Sequence, residues 1–338
     1  MNAAEALRAV QAGEQLAADE SAEVFGGVLR GEVEPVLLAG LLAALATRRE
    51  TVAELTGAAR AMRGAMVPFE HDFPDAIDTC GTGGDGLGTF NLSTAAALVA
   101  AAAGARVVKH GNRAATSRSG SADLLEAVGV RLELTPAAAR EVLEQVGITY
   151  LHAPLYHPAM RHAGPVRRAL GIRTAFNLLG PLCNPGGVMR QLVGVADPTR
   201  RDEVARILEG LGTQRAMVVH GAGGADELTL AGENALSFAG DLGRFEADGR
   251  RLGLDAAPVT ALEGGDAQDN ARILHRLLEG DGGALRDALL YNASAALVLA
   301  GIAHDALDGV QRAAEAVDSG AARDRLAQWA ALTEALAA

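Results

Sequence analysis

Residues 78–101 read DTCGTGGDGLGTFNLSTAAALVAA, and the fold turns on how they are read. An apolar run ends at Cys80, and Gly81, Gly83, Gly84, Gly86 and Gly88 follow within eight residues. An alanine-rich helical stretch then begins near Asn91. The unit is a strand, a glycine loop and a helix. Glycine tolerates positive φ and lets backbone N–H groups approach a ligand with no Cβ in the way. Asn91, Ser93 and Thr94 add amide and hydroxyl donors at a helix start, which already favours anions. The spacing fits neither G-x-G-x-x-G nor G-x-x-x-x-G-K-[ST], which excludes the dinucleotide fingerprint and the Walker loop. A tight turn without function is the bland alternative, and five glycines beside Asp85 and three hydrogen-bonding residues weaken it.

Beyond this unit the alternation continues. The apolar runs AIDTC (76–80), RVVKH (106–110), ITYLHA (148–153) and RAMVVHG (215–221) are interleaved with TPAAAREVLEQVG and RDEVARILEGLG, both of helical period. The pattern predicts an α/β fold, a mostly parallel sheet flanked by helices. Ligands in such sheets sit beyond the carboxyl ends of the strands, so the loops after the apolar runs hold the candidate site. Residues 1–66 differ. SAEVFGGVLRG, EPVLLAGLLAALATRR and TVAELTGAARAMRGAM repeat apolar residues at three- and four-residue steps, which predicts a smaller all-helical N-terminal lobe for packing or dimerisation. Ser21, Glu34 and Thr51 stand where helices are expected to start, and Thr51 with Glu54 makes a capping-box pattern. The chain is helical again from 271 to its end.

Composition narrows the function. With 338 residues, 49 % hydrophobic and 21 % charged, the chain fits a globular protein of two lobes. A net charge of −12 argues against a general nucleic-acid or anionic-membrane binder, while leaving room for one local anion site. Cys80 and Cys183 lack metal-ligand spacing and form no disulfide framework. The N-terminus lacks a signal-peptide pattern, and the longest apolar stretch, AAALVAAAAGA, is too short for a bilayer. A cytoplasmic, reduced protein is the simplest expectation.

Two further loops carry chemistry. VVKHGNRAATSRSGSADLLEAVG (107–129) is polar after its apolar start, with Lys109, Arg113, Arg118 and the hydroxyls of Thr116, Ser117, Ser119 and Ser121. Such a loop can wrap a polyanion, although Ser121 also suits a helix N-cap. Lys109 is the only lysine, against 29 arginines. An ammonium is a compact charge with three rotatable donors, so it fits converging phosphate oxygens where a guanidinium fork does not. The third loop, HGAGGADELTL (220–230), sets Asp226 beside Glu227 on a glycine-rich turn. Paired carboxylates near phosphates are a usual way to hold Mg²⁺.

GTGGDG followed by NLST, then KHGNRAATSRSGSADLLEAVGV, HPAMRHAGPVRRALGIRTAFNLLGPLCNP and GADELTL, resembles the anthranilate phosphoribosyltransferase family, in order from about residue 20 to 330. The resemblance implies transfer of the 5-phosphoribosyl group of phosphoribosyl pyrophosphate (PRPP) to the amine of anthranilate in tryptophan biosynthesis. It also implies the two-lobed nucleoside phosphorylase/phosphoribosyltransferase-like fold. Residues 1–70 would form the helical domain, with a returning segment at 165–190, and residues 71–338 the PRPP-binding α/β domain. The implied PRPP residues are Gly81, Gly84, Asp85, Thr89, Asn91, Leu92, Ser93 and Thr94. Lys109, His110, Gly111, Asn112, Arg113, Ala114, Ala115, Thr116, Ser117 and Ser121 would close over the donor. Gly81, Asn112 and Arg167 would take anthranilate, with Arg167 pairing its carboxylate, and His110 and His157 lining the path. Ser93, Asp226 and Glu227 would ligate Mg²⁺, two ions per site with Glu227 shared. No catalytic nucleophile or base is assigned, and a homodimer through the helical lobe is implied. Two positions depart from the family's usual pattern: Cys80 stands where an aliphatic is usual and Thr116 where serine is common, and each suits its place. A pyrimidine-nucleoside phosphorylase would not be expected to carry KHGNR with a downstream Asp-Glu pair. A silent nucleic-acid-binding relative should have lost the glycine loop and gained basic surface.

Overall fold

The computed structural model describes residues 1–114 and 118–337. Ala115, Thr116 and Ser117 lie outside these described residues. Four helices come first: α1 (Ala3–Gln11), α2 (Ala18–Arg30), α3 (Pro35–Arg48) and α4 (Val52–Ala65). The alternating region follows with β1 (Ile77–Gly81), α5 (Leu92–Ala102), β2 (Val107–Gly111), α6 (Ser121–Ala127), α7 (Pro136–Val146) and β3 (Ile148–His152). Then come the short helices α8 (Ala153–Tyr156), α9 (Gly164–Leu170) and α10 (Phe176–Leu182). Next are β4 (Arg190–Gly194), α11 (Arg201–Gly210), β5 (Arg215–His220) and β6 (Ala235–Gly240). The chain ends in α12 (Ala267–Leu278), α13 (Ala284–Ala300), α14 (Ala306–Asp318) and α15 (Ala321–Leu336).

The six strands form one sheet in the order β3-β2-β1-β4-β5-β6, parallel except for β6, which runs antiparallel to β5. The chain builds outward from β1 to β3, then crosses back to place β4 on the other side of β1. That reversal opens a crevice at the carboxyl ends of β1 and β4, where Gly81 is paired with Gly194. β4 and β6 carried no clear strand signal. β4 opens with Arg190 and Gln191, and β6 is a half-buried edge strand.

Side-chain alternation divides the core between the sheet's two faces. Leu192, Met217 and Val219 face one hydrophobic cluster with α5 and α13; Val193, Ala216 and Val218 face the other with the N-terminal helices. This second cluster also takes in Val166, Phe176, Leu179 and Leu182 from α9 and α10, which pack on α3 and α4.

Local signals held in part. Thr51 caps α4, accepting from Glu54 N–H, while Glu54 returns a bond to Thr51 N–H at 2.8 Å. Glu54 is buried and also accepts from Leu16 N–H. Glu34 precedes α3, with Pro35 opening the helix. Ser21 is not a cap. Glu20 accepts from Ala17 N–H and starts α2 four residues earlier, so Ser21 lies inside the helix and donates to the Glu54 carbonyl at 2.7 Å. No helix among the described residues is long and apolar enough to cross a membrane. Cys80 and Cys183 are both free.

Candidate active site

The glycine loop runs over the carboxyl end of β1, with Gly83, Gly84, Gly86 and Gly88 at positive φ. Its first residue is stitched to β4 by Thr82 N–H donating to the Gly194 carbonyl. The turn carrying Asp226 and Glu227 then descends onto the strand ends. Asp226 accepts from Gly83 N–H at 2.7 Å, and Glu227 accepts from Ser93 N–H at 3.1 Å at the start of α5. Gly194 makes this approach possible: a Cβ there would lie 1.5 Å from the Asp226 carbonyl oxygen. Asn292 is buried in α13 and holds both the N–H and the C=O of Leu228. It fixes the turn from behind.

The carboxylates are left in tension. Burial first, then Asp85, pushes the Asp226 carboxyl upward, and burial with Asp226 beside it pushes Glu227 well up. Glu227 Oε2 is buried with no hydrogen-bond partner among the described residues. With the Ser93 hydroxyl near the same helix start, these groups suit a hard cation. Among the described residues no three His, Cys, Asp or Glu are arranged to hold a metal alone. Such a partial shell fits an ion like Mg²⁺, which keeps waters and takes phosphate oxygens.

Lys109 departs from expectation. It is 2 % exposed and points inward, Nζ donating to the Thr79 carbonyl with Thr79 Oγ1 and Ser93 Oγ each at 3.5 Å. Below it, buried Asp78 accepts from His110 N–H and from Asn184 Nδ2. Burial raises the Asp78 carboxyl and lowers the Lys109 ammonium, while their mutual attraction opposes both shifts. The compact ammonium therefore ties β1, β2 and α5 together beneath the loop; it is not displayed to converging phosphates.

Other expected residues are brought to the same region in varied states. Asn91 bridges, its amide donating to the Ser119 carbonyl while its oxygen accepts from Asn270. Asn270 ends EGGDAQDN (263–270), an acidic stretch whose composition suits a solvated loop and helix start. The stretch is loop and helix start, with Glu263 and Asp266 exposed and Asp266 capping α12, but Asn270 within it is 1 % exposed and Gly264 N–H bonds the Gly88 carbonyl, so it also buttresses the glycine loop. Thr89 forms a bridge with Glu263. Asp85 accepts from Leu87 N–H. Leu92 and Thr94 are buried. Arg113 is turned to Glu126 and Asp123, and Ala114 N–H bonds Asp123. Arg118 pairs with Glu263. Ser121 is no cap, since Gly120 precedes α6; its hydroxyl lies 3.0 Å from Tyr150 Oη and 3.3 Å from the Asn112 carbonyl.

Beside the loop lies a cavity of about 700 Å³, lined by Gly81, His110, Gly111, Asn112, His157, Arg167 and Phe176 among others. Arg167 sits with its guanidinium 5.2 Å from the Phe176 ring centre, and burial lowers its pKa. Arg168 is exposed at the rim. His110 and His157 share one hydrogen bond, Nε2 to Nε2 at 3.2 Å. Burial pushes His110 down to about 3 and His157 to about 4, so both are neutral at pH 7. In the unfolded chain each titrates near 6.5. Their neutrality therefore costs nothing above pH 6.5 and destabilises the fold as pH falls from there toward the folded values. His110→Asn is expected to reduce the stability lost between pH 6 and pH 5 by about 1 kcal/mol, read from urea unfolding at the two pH values.

Residues 4–66 match the helical bundle domain of the glycosyl transferase family, and residues 73–323 match its a/b domain. The fold and cleft are thus those of a glycosyl transferase. The chain is 50 % identical to the anthranilate phosphoribosyltransferase of Roseiflexus sp. (strain RS-1) over 318 residues, 93 % of each chain. Its structure is similar to that of the Thermus thermophilus enzyme, TM-score 0.92 and 47 % identity, covering 97 % of this chain and 99 % of that one. It is also similar to the Saccharomyces cerevisiae enzyme in complex with PRPP and Mg, TM-score 0.89 and 25 % identity, covering 99 % and 98 %. The chain belongs to the anthranilate phosphoribosyltransferase family.

Proposed function

We infer that the cleft transfers the 5-phosphoribosyl group of PRPP to the amine of anthranilate, releasing pyrophosphate, as a step of tryptophan biosynthesis. The observation that carries the reading is one crevice with a glycine loop, an under-neutralised carboxylate pair and a half-buried guanidinium. Residues of the loop and of the α5 start, between Gly81 and Thr94, receive the pyrophosphate end of the donor through those N–H groups, such as Gly84, that are not already bonded within the protein and through the side chains of Asn91, Ser93 and Thr94. Lys109 to Asn112 bound the ribose side, and Lys109 acts through Ser93 and Thr79. Ser93, Asp226 and Glu227 would hold Mg²⁺, two ions sharing Glu227, and bound magnesium neutralises charge gathering on the leaving pyrophosphate.

Anthranilate enters the cavity with its carboxylate on Arg167, which turns its amine toward Gly81 and Asn112. The C1–O bond breaks with its electron pair leaving on pyrophosphate, the N–C1 bond forms, and the amine then loses a proton. The chain's work is positioning and exclusion of water, which needs no nucleophile. Closure of the helical lobe, residues 1–70 with 165–190, over the α/β lobe serves that exclusion. A homodimer through the helical lobe belongs to the same reading, to be checked by the mass of the protein in solution.

The test is loss of anthranilate fluorescence with PRPP and Mg²⁺. Turnover should vanish when magnesium is omitted. Arg167→Ala should raise the KM for anthranilate about 10- to 100-fold and leave the KM for PRPP unchanged, the scale of one charge-assisted pair. Magnesium-independent turnover, or equal losses for both substrates, counts against the reading.

A further inference from the structure

Among the cations around the glycine loop, Arg113 and Arg118 are held by carboxylates. Arg173 pairs with no carboxylate among the described residues and is exposed. It stands between α9 and α10, on the segment that packs against the N-terminal helices, yet reaches across to the loop. There Nη1 donates to the Gly83 carbonyl at 3.1 Å and occupies the space that a Cβ on Gly84 would need, 1.9 Å away.

The consequence is steric and directional. The Gly83 N–H is taken by Asp226 and the Gly83 carbonyl by Arg173, so both peptide planes around Gly83 are fixed. In a trans peptide the C=O and the next N–H point opposite ways. With the Gly83 carbonyl turned onto Arg173, the Gly84 N–H faces away from it and has no acceptor among the described residues. A loop that binds an anion needs its carbonyls turned away and its N–H groups presented.

We propose that Arg173 is a positioning residue for the donor: it holds the Gly83–Gly84 peptide in the anion-binding orientation. It does so from the segment that also carries Arg167, so a single helix-loop-helix touches both the loop and the acceptor cavity. The inference rests on PRPP being the donor bound at this loop.

The experiment measures PRPP binding with Mg²⁺ by titration calorimetry without anthranilate, together with both KM values and kcat, for wild type, Arg173→Gln and Arg173→Lys. Arg173→Gln should weaken PRPP binding and raise its KM at least about tenfold, the scale of a hydrogen bond from a charged donor. The kcat, the KM for anthranilate and the melting temperature should stay near wild type. Arg173→Lys, whose ammonium can still donate to the Gly83 carbonyl, should restore most of the PRPP affinity. Unchanged PRPP affinity in Arg173→Gln overturns the inference, as does an equal loss for both substrates with a lowered melting temperature. Wild type that fails to bind PRPP overturns the functional reading itself.

Discussion

Glu227→Gln is expected to lower kcat/KM for PRPP by about 10²- to 10³-fold, the scale seen when one fixed electrostatic contact to a leaving or developing anion is removed. The same variant should melt no lower than wild type without ligands. Both follow from the geometry. The glutamine oxygen can keep the bond from Ser93 N–H, and the buried Oε2, which has no partner among the described residues, becomes an amide. Replacing a charge crowded by burial and by Asp226 relieves the ligand-free fold. What is lost is the charge a cation would meet. Melting curves with Mg²⁺ and pyrophosphate should rise for wild type and stay flat for the variant. Full activity in Glu227→Gln would remove the carboxylate pair from the metal site.

That opposition between stability and function also explains what the sequence could reveal. Features whose meaning is local were legible: the five glycines, the Asp226-Glu227 pair, and Thr51 with Glu54. Each depends on residues a few positions apart. Features whose meaning depends on a distant partner were not. Asp78 looked like one residue of an apolar run, yet its carboxylate is held by Asn184, 106 positions away. Asn292 stands in an apolar helical run with nothing nearby to give it a role, and it braces Leu228, 64 positions away. Asn270 sits in an acidic stretch that reads as surface, and its side chain reaches Asn91, 179 positions away, at the start of α5. Arg173 carried no periodic or motif signal beyond its place in the family-like segment. The strand-helix alternation was enough for the fold class, whereas β6, an antiparallel edge with mixed polarity, fell below what a period of two can reveal.

The lone lysine yields the other large effect. Lys109→Met should destabilise the protein by about 3–5 kcal/mol, because it strands Asp78 as a buried carboxylate without its opposing charge. Adding Asp78→Asn should recover most of that stability, since the pair is then replaced by neutral groups, while turnover with PRPP remains low because Ser93 and Thr79 have lost their common donor. Urea unfolding of the two single variants and the double variant measures the coupling, and additive losses would mean the two residues do not act as a pair. Arginine is excluded by the same count of donors and acceptors. The ammonium has three donors, and the Thr79 carbonyl, Thr79 Oγ1 and Ser93 Oγ are the three acceptors around it. A guanidinium would bring five N–H donors in a rigid fork to a site 2 % exposed, leaving some buried and unpaired. Lys109→Arg should therefore lose both stability and turnover despite conserving the charge, and a chain that uses arginine everywhere else keeps lysine at the one place where a fork cannot be satisfied.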